Sequence, residues 1–275
     1  MNNKIIKCAI CGSADTAELF AYTQPPAGET PFPFSESGTY NRKIYTCRLC
    51  GHMQAVHTLD LESFYKESYG DSTYGQKGIE AAFERILELP VNRSDNAGRV
   101  KKLIDFNAKY NAGRAGAPSI LDVGSGLCVF LYKMQQAGWR CTAVEPGLSM
   151  AQHARDFVKV ETFADSFMAL PVEKKFDFIT FNKVLEHVTV PEEMLAKSRK
   201  HLLESGYVYI ELPDGEMAKA DGPGREEFFI EHYHVFSAAS LCLLACNAGF
   251  TLLEIERLQE PSTKYTLRAL LRPER

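Results

Sequence analysis

The sequence predicts an α/β fold in which a mainly parallel, seven-stranded sheet with an antiparallel strand at one edge follows a small N-terminal module. Short runs rich in β-forming residues alternate with helical stretches through the second half of the chain. The last two runs have no helix between them, which predicts an antiparallel pair. Two Cys-x-x-Cys pairs fall near the N-terminus, so a separate cysteine-rich unit comes first.

The predicted strands of the sheet are mostly apolar, β-branched and aromatic in composition. They are SILDV (119–123), RCTAV (140–144), VKVETF (158–163), FDFITF (176–181), YVYIEL (207–212), TLLEI (251–255) and TLRALL (266–271). The predicted helices end at Gln136, Phe157, Leu203 and Ala248, and Ser237 is the expected N-cap of the last one. Because helices separate most strands, we expect helices on both faces of the sheet.

Three segments divide the chain on this interpretation. Residues 1–75 form the module, residues 76–110 a helical connector and residues 111–275 the α/β domain. Apolar residues at helical spacing between Ile79 and Lys109 define the connector. Four prolines place a loop between Gln24 and Phe34 in the module.

Composition narrows the classes of partner. Of 275 residues, 45% are apolar and 24% are charged, as in globular proteins. The net charge of -4 and the lack of a basic run disfavour a nucleic-acid partner. No apolar stretch is long enough to span a bilayer, and the N-terminus lacks the pattern of a secretion signal. We expect a cytoplasmic protein without a membrane partner; composition gives no oligomeric state.

The two cysteine pairs predict a metal site. Each pair is followed by a glycine, which suits a turn that points two thiolates at one ion. Four thiolates favour Zn²⁺, and a site with no open coordination position is structural. The proposed ligands are Cys8, Cys11, Cys47 and Cys50. Buried or redox-active cysteines are the alternative for these pairs, and the other four cysteines are expected in core elements as small apolar residues.

A glycine-rich turn follows the first predicted strand. Gly124 and Gly126 lack a Cβ, so the backbone there can turn sharply and approach a ligand closely. About twenty residues on, Glu145 ends the next strand, where a carboxylate can accept the hydroxyls of a ribose. Asp165 follows the third strand and can meet an adenine amino group. A glycine pair alone also occurs in ordinary tight turns, so the three features must be taken together.

These segments resemble, in order, those of the class I S-adenosylmethionine-dependent methyltransferases, which have a Rossmann-like sheet. The resemblance covers the chain from about Ala108 onward and includes the run Leu185-Glu186-His187 after the fourth strand. It implies that the turn faces the methionine part of the cofactor, Glu145 the ribose, and Asp165 the adenine. The implied cofactor contacts are Asp122, Gly124, Ser125, Gly126, Glu145, Pro146, Asp165, Ser166, Asn182 and Glu186. The family usually has a third glycine where this chain has Cys128.

A second acid and imidazole pair, Glu231 and His232, follows the fifth strand. An imidazole can take a proton near neutral pH, and a neighbouring carboxylate can orient it. We therefore identify His232 as a candidate base. The alternative interpretation is that this run forms only a loop and the start of a helix, and that His234 is the histidine that many methyltransferases have in such a run. Glu186 and His187 are interpreted as packing or cofactor-side residues.

The whole arrangement is similar to the sugar C-methyltransferases that act on nucleotide-linked keto-deoxysugars. The shared features are the two cysteine pairs, a tyrosine-rich segment at the end of the module with Tyr65, Tyr69 and Tyr74, the methyltransferase core and the Glu-His pair. The resemblance implies that His232 removes a proton beside a ketone and that the enolate takes the methyl group. The chain departs from the family at Phe229, where the family has tyrosine, and no long C-terminal domain follows the last predicted strand.

The sequence thus predicts methyl transfer to a small, carbohydrate-like acceptor, at carbon or oxygen, with S-adenosylmethionine as cofactor and a structural Zn²⁺. Three alternatives stay open. An RNA base methyltransferase would use the cysteine module to grip RNA, and an adaptor would bind the cofactor without turnover. A nicotinamide-dependent dehydrogenase shares the glycines and the ribose acid, but the turn lacks its third glycine and the final hairpin is foreign to it.

Overall fold

The structure is a computed structural model that describes residues 6–29, 40–57, 75–111, 113 and 116–274. The three tyrosines at the end of the module, Tyr65, Tyr69 and Tyr74, lie outside these ranges, as does the second half of the proline-rich loop. Among the helices within these ranges, none combines the length and the apolar character needed to cross a bilayer.

Two sheets contain all the strands of the described residues. In chain order the strands are β1 (Thr16–Tyr22), β2 (Arg42–Cys47), β3 (Met53–Val56), β4 (Ser119–Val123), β5 (Arg140–Val144), β6 (Glu161–Phe163), β7 (Phe176–Asn182), β8 (Leu202–Pro213), β9 (His234–Val235), β10 (Phe250–Gln259) and β11 (Tyr265–Pro273). The seven predicted strands are confirmed, β4 and β5 with the predicted bounds. β8 begins at Leu202, earlier than its predicted start at Tyr207.

The large sheet has the strand order β10-β11-β8-β7-β4-β5-β6. The five strands from β8 to β6 pair in parallel, so their carboxyl ends share one edge of the sheet. The predicted antiparallel pair is confirmed: β11 runs antiparallel to both β8 and β10, and β10 forms the outer edge. The last strand therefore inserts beside β8 instead of extending the sheet outward.

Helices cover both faces of this sheet, as predicted. They are α1 (Gly75–Leu87), α2 (Asp95–Tyr110), α3 (Val129–Gln136), α4 (Leu148–Asp156), α5 (Pro191–His201), α6 (Gly215–Ala218) and α7 (Ala238–Asn247). The connector is two helices and not one, because Pro90 interrupts the helical period. Apolar residues of α1 to α4 form the core on one face, with Leu103, Phe130 and Met134 buried. The core on the other face takes residues from α5 and α7, with Leu195, Leu241 and Leu244 buried.

The N-terminal module forms a second sheet, with the order β1-β2-β3-β9. Its fourth strand, β9, comes from the later part of the chain, so the module is paired with the segment that carries the candidate base. The predicted N-cap Ser237 is confirmed, because its side chain and that of Ser240 form a capping box at the start of α7. The expectation that all four remaining cysteines lie in the core is wrong for Cys246, which faces solvent on α7.

A buried charge network centred on Glu211 joins α2 to β8 and β11. Its carboxylate accepts hydrogen bonds from Arg99 (2.5 Å) and Arg268 (3.0 Å). Tyr209 donates a third, at 2.5 Å. Burial alone would raise the pKa of Glu211, but the two guanidinium groups outweigh it and lower the pKa to about 2. The ionised carboxylate is therefore the form that the folded protein stabilises.

We predict that Glu211→Gln lowers the free energy of unfolding by about 3 kcal/mol at pH 7, because Arg99 loses its buried carboxylate partner and Arg268 loses one of its two. Urea unfolding measures the loss. Since the folded-state pKa of Glu211 is below its ordinary value of 4.5, its contribution is complete above that pH and disappears as pH falls toward 2. The control, Glu161→Gln, breaks an ion pair with Lys174 whose side chains are about half exposed, and should change stability by less than about 0.5 kcal/mol. Equal effects of the two variants would contradict the prediction.

Candidate active site

The loop that carries His232 returns to the carboxyl end of β8. We call residues 223–237 the His232 loop. Near its end, Phe236 bonds through its backbone to Pro213 and Gly215, with N···O distances of 3.0 and 2.7 Å. Because β8 and β4 belong to the same parallel set, the loop meets the edge of the sheet where the glycine turn lies.

The turn after β4 has the conformation that its glycines predict. Gly124 has φ +67° and Gly126 φ +51°, both in the left-handed region that disfavours side chains. A Cβ at Gly124 would lie 3.0 Å from a methyl of Val184, so the turn also passes close to the segment after β7. Cys128, at the family's usual third glycine, has φ +61° and is buried. The left-handed backbone conformation at this position explains why glycine suits it, and in this chain the small thiol side chain of Cys128 is accommodated there.

Glu145 lies at the neighbouring strand end with both carboxylate oxygens oriented. One oxygen accepts from the backbone N–H of Gly126 (2.8 Å) and the other from that of Gly147 (2.9 Å). Burial raises its pKa, while these two N–H groups act in the opposite direction. A carboxylate held by two backbone donors keeps lone pairs for further donors such as ribose hydroxyls.

The predicted adenine contacts lie beyond β6, at the same edge of the sheet. Asp165 is exposed, and one of its carboxylate oxygens accepts from the N–H of Ser166 at 2.7 Å. The hydroxyl of Ser166 accepts from the backbone of Met168 at 3.3 Å. Pro146 is exposed beside Glu145 and begins the turn into α4. These residues and Glu145 thus follow two neighbouring strands, β5 and β6, that pair in parallel.

Asp122 and Asn182 form a buried pair below the glycine turn. Asp122 accepts from the hydroxyl of Thr180 (2.6 Å) and from the amide of Asn182 (2.8 Å). Burial raises the pKa of Asp122 to about 7. The amide oxygen of Asn182 and the hydroxyl of Ser125 are buried without partners among the described residues. Such orphaned polar atoms fit a ligand with an ammonium or carboxylate group, as a methionine moiety has.

One carboxylate and two imidazoles come together in a cluster formed by the segment after β7 and the His232 loop. Ligand-type atoms of Glu186, His187 and His232 lie within 4.8 Å of one another. The imidazole of His187 donates from Nδ1 to the carbonyl of Glu231 (3.0 Å), and that of His232 donates from Nδ1 to the carbonyl of Glu227 (2.8 Å). The two rings are 4.8 Å apart, edge to face. Each Nδ1 is thereby protonated, which leaves Nε2 as the basic nitrogen.

The charges of this cluster follow from its burial. Burial, together with the neighbouring His187, lowers the pKa of His232 well below its usual value, and the pKa of His187 falls to about 4. Both rings are therefore neutral at pH 7. Glu186 is fully buried, and neither of its carboxylate oxygens has a hydrogen-bond partner among the described residues. Burial raises the pKa of Glu186 to about 7.

The structure brings together some of the predicted site residues and not others. His232 meets Glu186, predicted as a cofactor contact, whereas Glu231 enters the cluster through its backbone carbonyl and not its carboxylate. One carboxylate oxygen of Glu231 is buried without a partner, and burial raises its pKa to about 7. His187, which the sequence interpretation treated as a packing or cofactor-side residue, is also a member of the cluster.

Lys183 is a site residue that the sequence interpretation missed. It follows Asn182 with φ +61°, a conformation that is uncommon for a residue with a side chain. Its ammonium group is buried and donates to the hydroxyl of Thr266 at 2.6 Å, and burial lowers its pKa. The only signal in the sequence was its position between the strand end and the Leu-Glu-His run.

The four cysteines of the module form one cluster. Their Sγ atoms lie within 4.8 Å of one another, with 3.6 Å between Cys8 and Cys50 and between Cys11 and Cys47. Four sulfurs around a zinc ion with bonds of about 2.3 Å would be ~3.8 Å apart, so the cluster fits this ion. Both pairs make the same turn, since the glycine after each has φ +71° and donates to the carbonyl of the first cysteine at 2.9 Å.

Comparison with known proteins agrees with this geometry. A family model described as a methyltransferase domain matches residues 92–255. The curated protein C-methyltransferase NovU of Streptomyces niveus is 22% identical over 270 residues, which cover 91% of this chain and 57% of NovU. The chain thus spans little more than half the length of this relative.

Two solved structures share the fold. The 1,6-didemethyltoxoflavin-N1-methyltransferase of Burkholderia thailandensis has a TM-score of 0.55 and 18% identity, covering 90% of this chain and 100% of its own. The magnesium protoporphyrin IX methyltransferase of Synechocystis PCC 6803, with bound S-adenosylmethionine, has a TM-score of 0.53 and 14% identity, covering 78% of this chain and 98% of its own. With the family match over more than half of its length and the seven-stranded sheet described above, the chain belongs to the class I S-adenosylmethionine-dependent methyltransferases.

Proposed function

We propose that this methyltransferase acts on a small, carbohydrate-like acceptor, such as a nucleotide-linked keto-sugar, and methylates it at carbon or oxygen. The observation that carries the proposal is the cluster of Glu186, His187 and His232, whose two neutral imidazoles have a fixed tautomer. A base is needed when the methyl group goes to a carbon acid or a hydroxyl. The likeness to C-methyltransferase NovU supports transfer to carbon.

The cofactor would be held along the edge of the sheet. Glu145 would accept the ribose hydroxyls, Asp165 and Ser166 would meet the adenine, and the turn from Gly124 to Gly126 would face the methionine part. Asn182 and Ser125 supply the orphaned polar atoms for its amino-acid group, and Asp122 fixes the amide of Asn182. When bound, S-adenosylmethionine supplies an electrophilic methyl group on a positively charged sulfur.

His232 would act as the base through Nε2. The carbonyl of Glu227 holds the proton on Nδ1, so the free lone pair of the ring is on Nε2. Because burial keeps the ring neutral at pH 7, it can accept the proton from the carbon beside a ketone or from a hydroxyl. The electron pair of that broken C–H or O–H bond then forms the new bond to the methyl carbon.

Glu186 would stabilise the charge that proton transfer creates. An imidazolium is costly in a buried site unless an anion is near. The unpartnered carboxylate of Glu186 lies within 4.8 Å of a ring nitrogen of each histidine. Lys183, with its buried ammonium group in the same region, would favour the ionised form of Glu186, and it acts on the pKa of Glu186 in that direction.

We also propose that the four-cysteine cluster binds a structural Zn²⁺. Four sulfur ligands leave no open coordination position, so the ion would take no part in the chemistry. Cys47 is ready for this role: burial acts to raise its pKa, but the backbone N–H groups of Cys50 and Leu49 lower it to about 7. Metal binding then stabilises a module whose own core is small.

We predict that the purified chain transfers labelled methyl groups from S-adenosylmethionine to a nucleotide keto-sugar, with solvent deuterium exchange beside the ketone. Hydroxyl-bearing sugars and unmodified RNA are assayed in parallel. His232→Gln should reduce transfer at least about hundredfold, the range of general-base catalysis, while cofactor affinity by calorimetry stays within about twofold. Label in RNA alone, or full activity of His232→Gln, would contradict the proposal.

With the acceptor so identified, we predict that kcat rises as pH increases through about 7. Glu186 has a raised pKa of about 7, so its stabilising negative charge is present above that pH and lost below it. Glu186→Gln should lower kcat about tenfold and remove this rise. Glu231 has a similarly raised pKa but keeps its carboxylate outside the cluster, so Glu231→Gln should retain the rise. If Glu231→Gln removed the rise of kcat and Glu186→Gln retained it, Glu186 would not be the group that stabilises the protonated base.

Elemental analysis of the purified chain should find about one zinc ion per chain. Cys47→Ser should lose the metal and lower the unfolding temperature, because one of four ligands is gone. The matched control is Cys246→Ser, which changes an exposed thiol on α7 outside the cluster and should keep both. Retention of metal and stability by Cys47→Ser would rule out the tetrathiolate site.

A further inference from the structure

An ion pair buried in the N-terminal module bonds to the backbone just before Glu231 and His232. Arg42 of β2 donates to a carboxylate oxygen of Glu29 at 3.1 Å, and both side chains are at most 1% exposed. A second guanidinium nitrogen of Arg42 donates to the carbonyl of Phe228. The same oxygen of Glu29 accepts from the N–H of Ile230 at 2.8 Å. The ion pair thus binds the backbone on both sides of Phe229.

Aromatic residues of the module fix the position of this ion pair. The hydroxyl of Tyr40 donates to Glu29 at 2.6 Å, and Nε of Arg42 donates to the same hydroxyl oxygen at 3.0 Å. The guanidinium lies 4.1 Å from the ring centre of Tyr22. Arg42 therefore uses three donor nitrogens and one ring face at once, a set of contacts that the single ammonium group of lysine cannot reproduce.

The module holds the rest of the His232 loop as well. Before the ion pair, the hydroxyl of Tyr22 donates to the carbonyl of Pro223 at 2.9 Å. After it, the N–H of Ala55 donates to the carbonyl of Tyr233 at 2.9 Å. The hydroxyl of Ser237 donates to the carbonyl of Cys50, a cluster cysteine, at 2.5 Å. The side chain of His232, in the middle, points instead to the cluster with Glu186.

We propose that Arg42, through its ion pair with Glu29, is a positioning residue for the base His232. The inference rests on the proposed function of that residue. Arg42 donates to the carbonyl of Phe228, and its partner Glu29 accepts from the N–H of Ile230, two residues before His232. Proton transfer requires the base within hydrogen-bond reach of the acceptor, so small displacements of this backbone change the rate.

The energetic case favours a positioning role over general stabilisation. A buried ion pair contributes little net stability compared with apolar residues of the same size, because both ions lose their hydration. What it does supply is direction, since each donor and acceptor fits one geometry. Here two of the hydrogen bonds of the ion pair go to the backbone of the His232 loop. One of them joins Arg42 to Phe228, 186 residues away in sequence.

The test compares Arg42→Lys with Lys43→Ala, a control at the next position of β2. Lys43 pairs with Glu18 at the surface, and both side chains are more than 40% exposed. In Arg42→Lys we expect kcat to fall between about tenfold and hundredfold, with KM, zinc content and cofactor affinity each within about twofold. Hydrogen exchange of the backbone from 226 to 234 should speed up about tenfold, with β4 and β7 unchanged. Lys43→Ala should match the unmodified chain in every measurement.

A second variant, Glu29→Gln, keeps the size of the side chain and removes the charge, and should shift kcat and loop exchange in the same direction. Faster loop exchange with unchanged kcat would overturn the positioning role, as would unchanged loop exchange. Loss of zinc and faster exchange throughout the chain would mean that Arg42 only stabilises the fold. If the unmodified chain methylates none of the acceptors, the proposed function fails, and loop exchange alone then decides whether Arg42 holds the loop.

Discussion

The pairing between the N-terminal module and the His232 loop is the constraint on which the site depends. β3 pairs with β9, and the buried side chains of His52 and His234 bond at 3.0 Å across this junction. His234 donates from Nε2 to the carbonyl of Thr189, at 3.4 Å, so its Nδ1 accepts from His52. Burial lowers the pKa of His234 to about 4, which keeps the ring neutral and the bond intact at pH 7. The cysteine cluster sits at one end of this junction and the base at the other.

The cofactor side of the site is built differently. There the order of the parallel strands positions the proposed contacts: β4, β5 and β7 end at one edge, and the residues proposed to hold the cofactor follow these ends. Glu145 then ties the two neighbouring ends together, because its carboxylate accepts from a backbone N–H of the glycine turn. The proposed cofactor edge is thus positioned by the register of the large sheet, whereas the proposed base is positioned by contacts with the second sheet.

Much of this could be predicted from the sequence, for identifiable reasons. The strands of the large sheet are short and apolar, and the cysteine and glycine spacings each demand one local geometry. β8 was predicted too short because the preceding helix was expected to continue to Leu203, whereas Leu202 already pairs with Phe176 of β7. β1 to β3 mix polar and apolar residues and gave no strand signal. Their edges are satisfied only by pairing with one another and with β9.

The roles within the site were harder to predict, since they depend on side-chain direction. Glu231 and Glu186 each precede a histidine, and nothing in the two dipeptides indicates which carboxylate faces the rings. The fold decides it, because the His232 loop offers the carbonyl of Glu231 to His187 and leaves the carboxylate of Glu186 for the cluster. No pattern in the sequence indicated that Arg42 contacts the His232 loop, because its backbone partner there, Phe228, is remote in sequence.

The most direct measurement is a crystal structure of the chain with S-adenosylhomocysteine and bound metal. The account predicts ribose hydroxyls on Glu145, the adenine beside Asp165, and the sulfur facing His187 and His232 across a space that one sugar ring can fill. In that arrangement the acceptor would lie between the sulfur and the two imidazoles, where a nucleophile can attack the methyl carbon in line with the sulfur. A ligand whose sulfur faces away from the two imidazoles, or which binds at another edge of the sheet, would contradict the account.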